Sequence, residues 1–247
     1  MNDRVTGLIL NQTDYRENGA LVTVLTRQYG RITLSARGIR KLTSKNAASL
    51  FPYTKGEFLF DYKPGRTIFA LRTAETKQFY SHIHTDLKAQ CTAAVIAEIA
   101  DNLSSEQAVG VNPETIYDLC EQAFTLVDQD ERSDLVLAVY MARSLDLFGI
   151  GPQVDGCAID GDVHVQSISA AAGGFLCPAC TLKEHALVRT PQELRQFRLV
   201  NKAQLEHLEI LKPLVAKADW INDILESFFE IHGSMYLKSW NLYRQVR

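Results

Sequence analysis

The hydrophobic pattern of this chain changes its period near residue 80, and that change constrains the fold more than any other feature. Before it, apolar and polar residues alternate in short runs, as in the segment 30–37, which is typical of half-buried β-strands. After it, apolar residues recur at helical spacing, beginning with Ile83 and Leu87. The sequence therefore predicts an all-β domain over residues 1–80, followed by an α-helical domain over residues 81–247.

The predicted strands are short and are joined by turn-forming residues. One pair surrounds Gly30, since glycine accepts a positive φ in a tight turn. A later pair, 58–62 and 67–71, flanks the Lys-Pro-Gly-Arg run at 63–66, which is a strong hairpin pattern. Five short strands in fewer than 80 residues predict a Greek-key barrel of the oligonucleotide-binding (OB) type. A small SH3-like barrel fits the same pattern nearly as well.

Charge is distributed unevenly between the two predicted domains. Residues 1–80 carry 13 Lys and Arg against 6 Asp and Glu, a net charge of +7. Residues 81–247 carry 13 Lys and Arg against 23 Asp and Glu, a net charge of −10. A basic β-domain joined to an acidic helical domain favours two domains with different partners.

Basic side chains concentrate on the outward face of the predicted barrel and on the loop that follows residue 37. In proteins that bind single-stranded nucleic acid on such barrels, Lys and Arg contact the phosphates and aromatic rings stack on the bases. Tyr29 and Tyr53 are the candidate stacking residues. The predicted DNA-binding residues are Arg27, Arg31, Arg37, Arg40, Lys41, Lys45, Arg66 and Arg72.

The cysteines predict a metal site rather than disulfides. The chain has five cysteines, an odd number, and no recognisable signal peptide, so we expect a cytoplasmic protein without a disulfide framework. Two knuckle-like pairs have the spacing of a structural zinc site, and its predicted ligands are Cys157, Asp160, Cys177 and Cys180. Asp160 stands where a fourth cysteine is usual, and Asp162 and His164 are rival ligands. The alternative is a vestigial cluster that holds no metal.

The segment between the cysteines, residues 150–182, interrupts the helical pattern. Residues 163–165 and 173–176 predict a short β-hairpin inserted into the helical domain. Helical spacing returns at about 191–198, 201–217 and 219–232.

Patterns typical of enzymes are weak. The Cys-Pro-Ala-Cys run at 177–180 resembles a thiol–disulfide exchange motif, but the βαβ context of that chemistry is not predicted here. A zinc deaminase needs His-x-Glu, whereas Val and Gln follow His164. Phosphate-cradling and nucleophile-elbow motifs are absent from the sequence. We therefore expect no catalytic activity. We also expect no membrane span, since no apolar run approaches about 18 residues.

Several motifs occur together in a characteristic order. The N-terminal ones are Asp14-Tyr15-Arg16-Glu17, Thr26, Gly30 and Ala36-Arg37-Gly38-Ile39-Arg40-Lys41 before Phe51-Pro52. The C-terminal ones are Gly149-Ile150-Gly151-Pro152 leading to Cys157, and Gly173-Gly174-Phe175-Leu176-Cys177-x-x-Cys180. Their order and spacing resemble those of the bacterial RecO family of recombination mediators. The resemblance extends over most of the chain.

The resemblance implies an OB barrel followed by a helical domain with an inserted zinc knuckle, acting in recombinational DNA repair at the nucleoid. It implies binding to single- and double-stranded DNA and annealing of complementary strands. With RecR, such proteins help to load the RecA recombinase onto DNA coated by single-strand-binding protein (SSB). A pocket for the SSB C-terminal tail is implied in the helical domain, where Arg132 and Arg143 are candidate charge partners.

Asp160 departs from the family pattern, since the zinc-bearing members carry cysteine at that position. The departure leaves the presence of zinc open, but not the fold. Two other functions also remain open at this point. One is a protein-interaction adaptor that does not bind DNA directly, and the other is a thiol oxidoreductase that uses Cys177 and Cys180.

Overall fold

The computed structural model describes residues 2–39, 46–105 and 110–247. The chain divides into two compact units between Asp130 and Glu131. We call the part up to Asp130 the barrel unit and the part from Glu131 onward the helical unit.

Five strands of the barrel unit close into a barrel. They are β1 (Asn2–Tyr15), β2 (Gly19–Thr26), β3 (Gly30–Ala36), β4 (Thr54–Asp61) and β5 (Ile68–Phe79). Their order around the barrel is β1-β2-β3-β5-β4, with β4 returning to β1. All neighbours are antiparallel except β3 and β5, which are parallel. A closed five-stranded Greek-key barrel is of the OB type, so the predicted fold of the N-terminal part is confirmed.

The length of β1 explains how the barrel closes. Residues 7–15 of β1 pair with β2, and residues 2–8 pair with β4. A register shift between Ile9 and Asn11 changes the direction of the strand where it passes from one neighbour to the other. Burial alternates along β4, where the inward rings of Phe58 and Phe60 are fully buried in the barrel core.

Three helices complete the barrel unit: α1 (Ser81–Thr85), α2 (Leu87–Leu103) and α3 (Pro113–Asp128). The Asp86 carboxylate caps α2 by accepting a hydrogen bond from the Ala89 N–H at 2.8 Å. The Asn112 side chain caps α3 by accepting from the Glu114 N–H at 3.0 Å, and Pro113 occupies the first turn. The barrel and these helices therefore belong to one compact unit.

The helical unit is built around one buried helix. Its elements are α4 (Ser133–Leu147), β6 (Ser167–Ser169), β7 (Gly174–Leu176), α5 (Pro178–Lys183), α6 (Pro191–Lys202), α7 (Leu208–Leu211), α8 (Asp219–Ile231) and α9 (Trp240–Val246). Eleven of the 15 residues of α4 are buried, and α4 packs against α6 and α8. None of the helices in the described ranges combines the length and the apolar character that crossing a bilayer would require.

Two sequence predictions for the helical unit are wrong in detail. The inserted hairpin pairs β7 with residues 167–169, not with 163–165. Ile168 is buried and faces Phe175, whereas Val163 is 72% exposed and buries little of its apolar side chain. The helix predicted over 201–217 does not form as one piece. Residue Ala203 is extended, which ends α6 at Lys202 and separates it from α7.

Candidate nucleic-acid interface and metal site

A cleft of about 550 Å³ opens on the barrel among the β1–β2 loop, the end of β3 and the start of β5. Three exposed arginines line it: Arg16 from the β1–β2 loop, Arg37 after β3, and Arg66 from the β4–β5 loop. Glu17 is the acidic residue of the lining. The loops that supply Arg16 and Arg66 correspond to those with which OB barrels bind oligonucleotides. We call this the basic cleft.

The arginines of the basic cleft are available to a ligand. Within the described ranges, none of Arg16, Arg37 and Arg66 forms an ion pair with a carboxylate. Arg16 has a left-handed backbone, with φ at 58°, and its guanidinium lies 5.0 Å from the centre of the Tyr15 ring. Three uncommitted guanidinium groups around one cleft form a site suited to phosphate, which arginine binds with paired N–H groups.

Arg16 is absent from the residues predicted to bind DNA. It belongs to the Asp-Tyr-Arg-Glu motif at 14–17, in the polar segment between the first two predicted strands. The indication available in the sequence was its place in that loop of a predicted OB barrel. Its left-handed backbone is not readable from the sequence, because arginine rarely adopts that conformation.

Three of the predicted DNA-binding residues are engaged by acidic side chains of the same unit. The Arg27 guanidinium lies 3.1 Å from the Glu114 carboxylate and also pairs with Asp118. Arg31 pairs with Asp101, and the Arg72 guanidinium lies 2.7 Å from the Asp61 carboxylate. The hydrogen bond from Arg72 lowers the pKa of Asp61. Five of the eight predicted DNA-binding residues are described: these three are paired with acids, whereas Arg37 and Arg66 line the basic cleft. The other three, Arg40, Lys41 and Lys45, fall outside the described residues.

The two candidate stacking residues have different surroundings. The half-buried ring of Tyr29 stacks on Tyr62 with centroids 5.8 Å apart, and its hydroxyl donates to Asp3 at 3.0 Å. Tyr53 packs edge-on against Phe124 at 6.0 Å, and burial raises the pKa of its phenol. Tyr29 is therefore part of an aromatic surface, whereas Tyr53 joins the barrel to α3.

The four predicted metal ligands meet in the helical unit. One donor atom from each of Cys157, Asp160, Cys177 and Cys180 lies within 4.8 Å of the others, in a group that could hold a metal ion. The Cys177 and Cys180 sulfurs each lie 3.3 Å from the same Asp160 oxygen. Zinc bonds of about 2.0–2.3 Å in a tetrahedron place neighbouring ligand atoms about 3.3–3.8 Å apart, which these distances match.

Local structure holds this cluster in place. Cys177 lies between β7 and α5 and caps the N-terminus of α5. Its sulfur accepts a hydrogen bond from the Cys180 N–H at 3.5 Å. The Asp162 N–H donates to the Asp160 carboxylate at 3.1 Å. All three thiols are buried, while Asp160 is exposed. The rivals Asp162 and His164 lie outside the group and contact each other at 3.1 Å.

The electrostatics of the cluster favours an ionised carboxylate at Asp160. Hydrogen bonds from the Cys157 thiol and from the Asp162 N–H hold the pKa of Asp160 well below its usual range. Burial and the hydrogen bond to Asp160 raise the pKa of the Cys180 thiol to about 12. The Cys177–Cys180 pair follows the two-stranded antiparallel sheet β6–β7 and not a βαβ unit, so its surroundings differ from those of the thiol–disulfide oxidoreductases.

Both candidate charge partners for an SSB tail are engaged within the helical unit. Arg132 donates two hydrogen bonds to Asp134, at 2.7 and 2.8 Å, and a third to the Val215 carbonyl at 3.0 Å. Arg143 pairs with Asp146 at 2.8 Å and donates to the Asn201 carbonyl. An acidic ligand at either arginine would have to compete with these contacts.

Comparison with known families agrees with this architecture. The family model "Recombination protein O N terminal" matches residues 1–80, and "Recombination protein O C terminal" matches residues 84–241. The chain belongs to the RecO family. The family assigned from the sequence motifs is therefore confirmed, and with it a place in DNA repair and recombination.

Relatives named "DNA repair protein RecO" align with the chain along almost its whole length. The protein from Listeria monocytogenes serotype 4a is 26% identical over 246 residues, covering 99% of this chain and 94% of the relative. The Bacillus pumilus protein is 28% identical over 242 residues, covering 97% and 93%. The Moorella thermoacetica protein is 28% identical over 245 residues, covering 94% and 87%.

The two RecO models divide the candidate sites between them. The N-terminal RecO model ends at residue 80, directly after β5, and thus spans the barrel with its basic cleft. The C-terminal RecO model spans the cysteine–aspartate cluster. Any DNA contact made by the basic cleft would therefore lie in the part of the chain that matches the N-terminal domain of RecO proteins.

Proposed function

We propose that this RecO-family protein is a DNA-binding recombination mediator without catalytic turnover. The observation that carries the proposal is the basic cleft, where three exposed arginines without an ion-pair partner among the described residues meet between the loops that bind oligonucleotides in OB barrels. Membership of a family named for recombination supports the repair role. In this proposal residues 1–80 form the nucleic-acid-binding domain, and residues 81–247 form the domain that meets other proteins.

The cleft would act on the sugar–phosphate backbone. Phosphate contacts position a strand without reading its sequence, so both single- and double-stranded DNA would bind with weak sequence preference. Annealing requires two polyanions to approach while their base edges stay free. Guanidinium groups that neutralise phosphates meet both needs, and the counterions they release make the affinity depend steeply on salt.

The proposed partners follow from family membership. With RecR, the protein would help to load RecA onto single-stranded DNA coated by SSB. Its helical domain would bind the SSB C-terminal tail. Arg132 is already paired with Asp134, and Arg143 with Asp146. We therefore propose that the tail either displaces one of these carboxylates or binds to other basic side chains of that domain.

We further propose that the cysteine–aspartate cluster binds a structural Zn²⁺ ion. Three buried thiols and one carboxylate supply the usual complement of four zinc ligands, so no position is left for a reactive water. When bound, the ion would join the loop at 157–160 to the first turn of α5 and would contribute folding energy instead of chemistry.

Charge reversal in the basic cleft tests the proposed DNA binding. In the full chain, Arg37→Glu combined with Arg66→Glu should weaken binding of a labelled 30-nucleotide strand more than tenfold at low salt and flatten the salt dependence. The matched control is Arg195→Glu with Lys217→Glu, which makes the same charge change at exposed residues of the helical unit. Unchanged affinity in the cleft variant, or equal losses in both variants, would contradict the assignment.

A further inference from the structure

A second cavity of the barrel unit lies beside the β4–β5 loop, which supplies Tyr62, Arg66 and Thr67 to its lining. Its volume is about 400 Å³, within the range of about 300–1,000 Å³ that is typical of sites for small organic ligands. Arg66 and Phe69 line both this cavity and the basic cleft. A strand lying along the basic cleft would therefore reach the mouth of the second cavity without leaving the protein surface.

The wall of the second cavity is a row of aromatic rings. Tyr62 lies between Tyr29 and Phe69, with ring centroids 5.8 Å and 5.4 Å away and planes 27° and 20° apart. The buried Phe60 ring supports the row from the barrel core, 5.4 Å from Phe69. Tyr29 and Tyr62 remain half-exposed. We call this cavity and its row of rings the ring pocket.

Several polar groups of the ring pocket are uncommitted. The phenol of Tyr62 and the hydroxyls of Thr33 and Thr67 have no hydrogen-bond partner in the described part of the chain. The Ser104 hydroxyl donates to the Ala100 carbonyl at 2.8 Å, which leaves its oxygen able to accept. An aromatic wall with free hydroxyl donors and acceptors at its rim is suited to a flat heterocycle whose edge carries hydrogen-bonding groups.

We propose that the ring pocket receives one unstacked nucleobase of a single strand whose phosphates lie on the basic cleft. The inference rests on the DNA binding proposed above and adds a strand preference to it. Arg66 links the two sites, since it lines the cleft that holds the phosphates and the pocket that holds the base. The bases of a duplex are paired and stacked, and flipping one out costs a few kcal/mol, so the pocket favours single strands.

This arrangement is compatible with strand annealing. One base held in the ring pocket fixes the position of the strand, while its neighbours lie on the basic cleft with their pairing edges free. The hydroxyls at the rim can meet any base, so the pocket adds affinity with little sequence preference.

The test compares intact DNA with DNA that lacks bases. The probes are a 20-nucleotide mixed-sequence strand, a strand of the same length built only from abasic sites, and the corresponding 20-base-pair duplex, each titrated by fluorescence anisotropy. We expect the full-length protein to bind the intact strand about tenfold more tightly than the abasic strand, because stacking is lost with the bases. This measurement needs no variant, so it does not depend on the folding of a mutant.

Substitution of Tyr62 locates the effect. Tyr62→Ala should bring the ratio of intact to abasic affinity close to one and leave duplex affinity within twofold. Tyr62→Phe should keep most of the ratio, because it keeps the ring. The matched control is Phe51→Ala, which removes an exposed aromatic ring of the same unit from outside the pocket and should change nothing.

The outcomes separate this inference from the proposed function. If the protein binds neither single strands nor duplex at low salt, DNA binding itself is wrong. If it binds both, but binds the intact and the abasic strands with equal affinity, only the ring pocket is overturned. A preference that survives in Tyr62→Ala would overturn it as well, because the bases would then be recognised elsewhere.

Discussion

The Arg27 guanidinium of the barrel lies 3.1 Å from the Glu114 carboxylate of α3. Asp118, one turn further along α3, pairs with the same arginine, and Asp101 of α2 pairs with Arg31. Exposed ion pairs of this kind contribute only about 0–1 kcal/mol each to stability. Their larger effect is on charge, because acidic side chains of α2 and α3 neutralise arginines that would otherwise add to the positive potential of the barrel surface.

Releasing Arg27 from its acidic partners should strengthen DNA binding. Glu114→Gln with Asp118→Asn frees one guanidinium, so we expect higher affinity for single strands at low salt. If the freed group gains one phosphate contact, the slope of log affinity against log salt should steepen by about 0.7. Anisotropy titrations at four salt concentrations would measure both quantities.

The control for this prediction removes the same charge elsewhere. Glu184→Gln with Glu230→Gln neutralises two exposed acids of the helical unit. A similar gain in both double variants would mean that net charge, and not the release of Arg27, governs the affinity. No gain in the Glu114 and Asp118 variant would mean that this side of the barrel does not meet DNA.

The pairing of Arg27 also illustrates what sequence alone could not predict. The barrel was predictable because alternation along a strand and the turns between strands are local patterns. The knuckle spacing around Cys177 and Cys180 is local in the same way. The partner of Arg27, in contrast, lies 87 residues further along the chain, and that of Arg31 lies 70 residues further. Only the folded unit could distinguish these paired arginines from Arg37, which has no ion-pair partner in the described part of the chain.

The ring pocket was out of reach for the same reason. Its rings come from the turn before β3, the end of β4 and the start of β5. Of the three rings, only Tyr29 has a stacking role predicted from the sequence; Tyr62 falls in a predicted strand, and Phe69 is buried in the barrel core. Tyr62 and Phe69 meet at the end of the antiparallel β4–β5 hairpin, where Asp61 pairs with Ala70. Tyr29, 33 residues before Tyr62 in the sequence, joins them only in the closed barrel.

A second prediction concerns the ion pair at the start of α4. The Asp134 side chain is only 9% exposed. It accepts two hydrogen bonds from Arg132 and a third from the Ala218 N–H at 2.9 Å. Asp134→Asn leaves the Arg132 guanidinium without its counter-charge, and we expect the helical unit to lose about 3 kcal/mol of unfolding free energy. Trp220 and Trp240 are the two tryptophans of the chain, so urea unfolding followed by tryptophan fluorescence reports on this unit.

The same pair should make stability depend on pH. Burial alone would raise the pKa of Asp134, but the hydrogen bonds from Arg132 and the Ala218 N–H lower it below the ordinary value of 3.8. A lowered folded-state pKa stabilises the fold above the unfolded-state pKa, and that contribution is lost as pH falls through the folded-state value. The stability difference between the natural protein and Asp134→Asn should thus be full at pH 7 and shrink below about pH 4. A difference that stays constant down to pH 3 would contradict this account.

A third prediction concerns the metal. Protein purified without a tag should contain close to one zinc per chain by elemental analysis, and Asp160→Ala should lower both the zinc content and the melting temperature of the helical unit. Asp160→Cys should keep the zinc, because a thiolate replaces the carboxylate. Asp162→Ala is the control, since Asp162 lies in the same loop but outside the cluster. Zinc-free protein with an unchanged melting temperature after zinc is added would indicate a vestigial cluster.

The last prediction tests how the backbone holds the metal cluster. Gly174 at the start of β7 pairs with Gln153, and a Cβ added to it would lie 2.2 Å from the Gln153 carbonyl oxygen. Because that neighbour is backbone, Gly174→Ala must displace one of the two segments, which costs about 1–3 kcal/mol.

β7 is adjacent to two of the ligands. It ends one residue before Cys177, and its Phe175 carbonyl accepts a hydrogen bond at 2.7 Å from the N–H of Ala158, the residue after Cys157. We therefore expect Gly174→Ala to lower zinc content as well as stability. Gly149→Ala is the control, since its φ of 74° brings strain but its Cβ meets nothing within 4 Å. It should lose about 1–2 kcal/mol of unfolding free energy and keep its zinc. Equal zinc content in the two variants would show that the contact between Gly174 and Gln153 does not position the ligands.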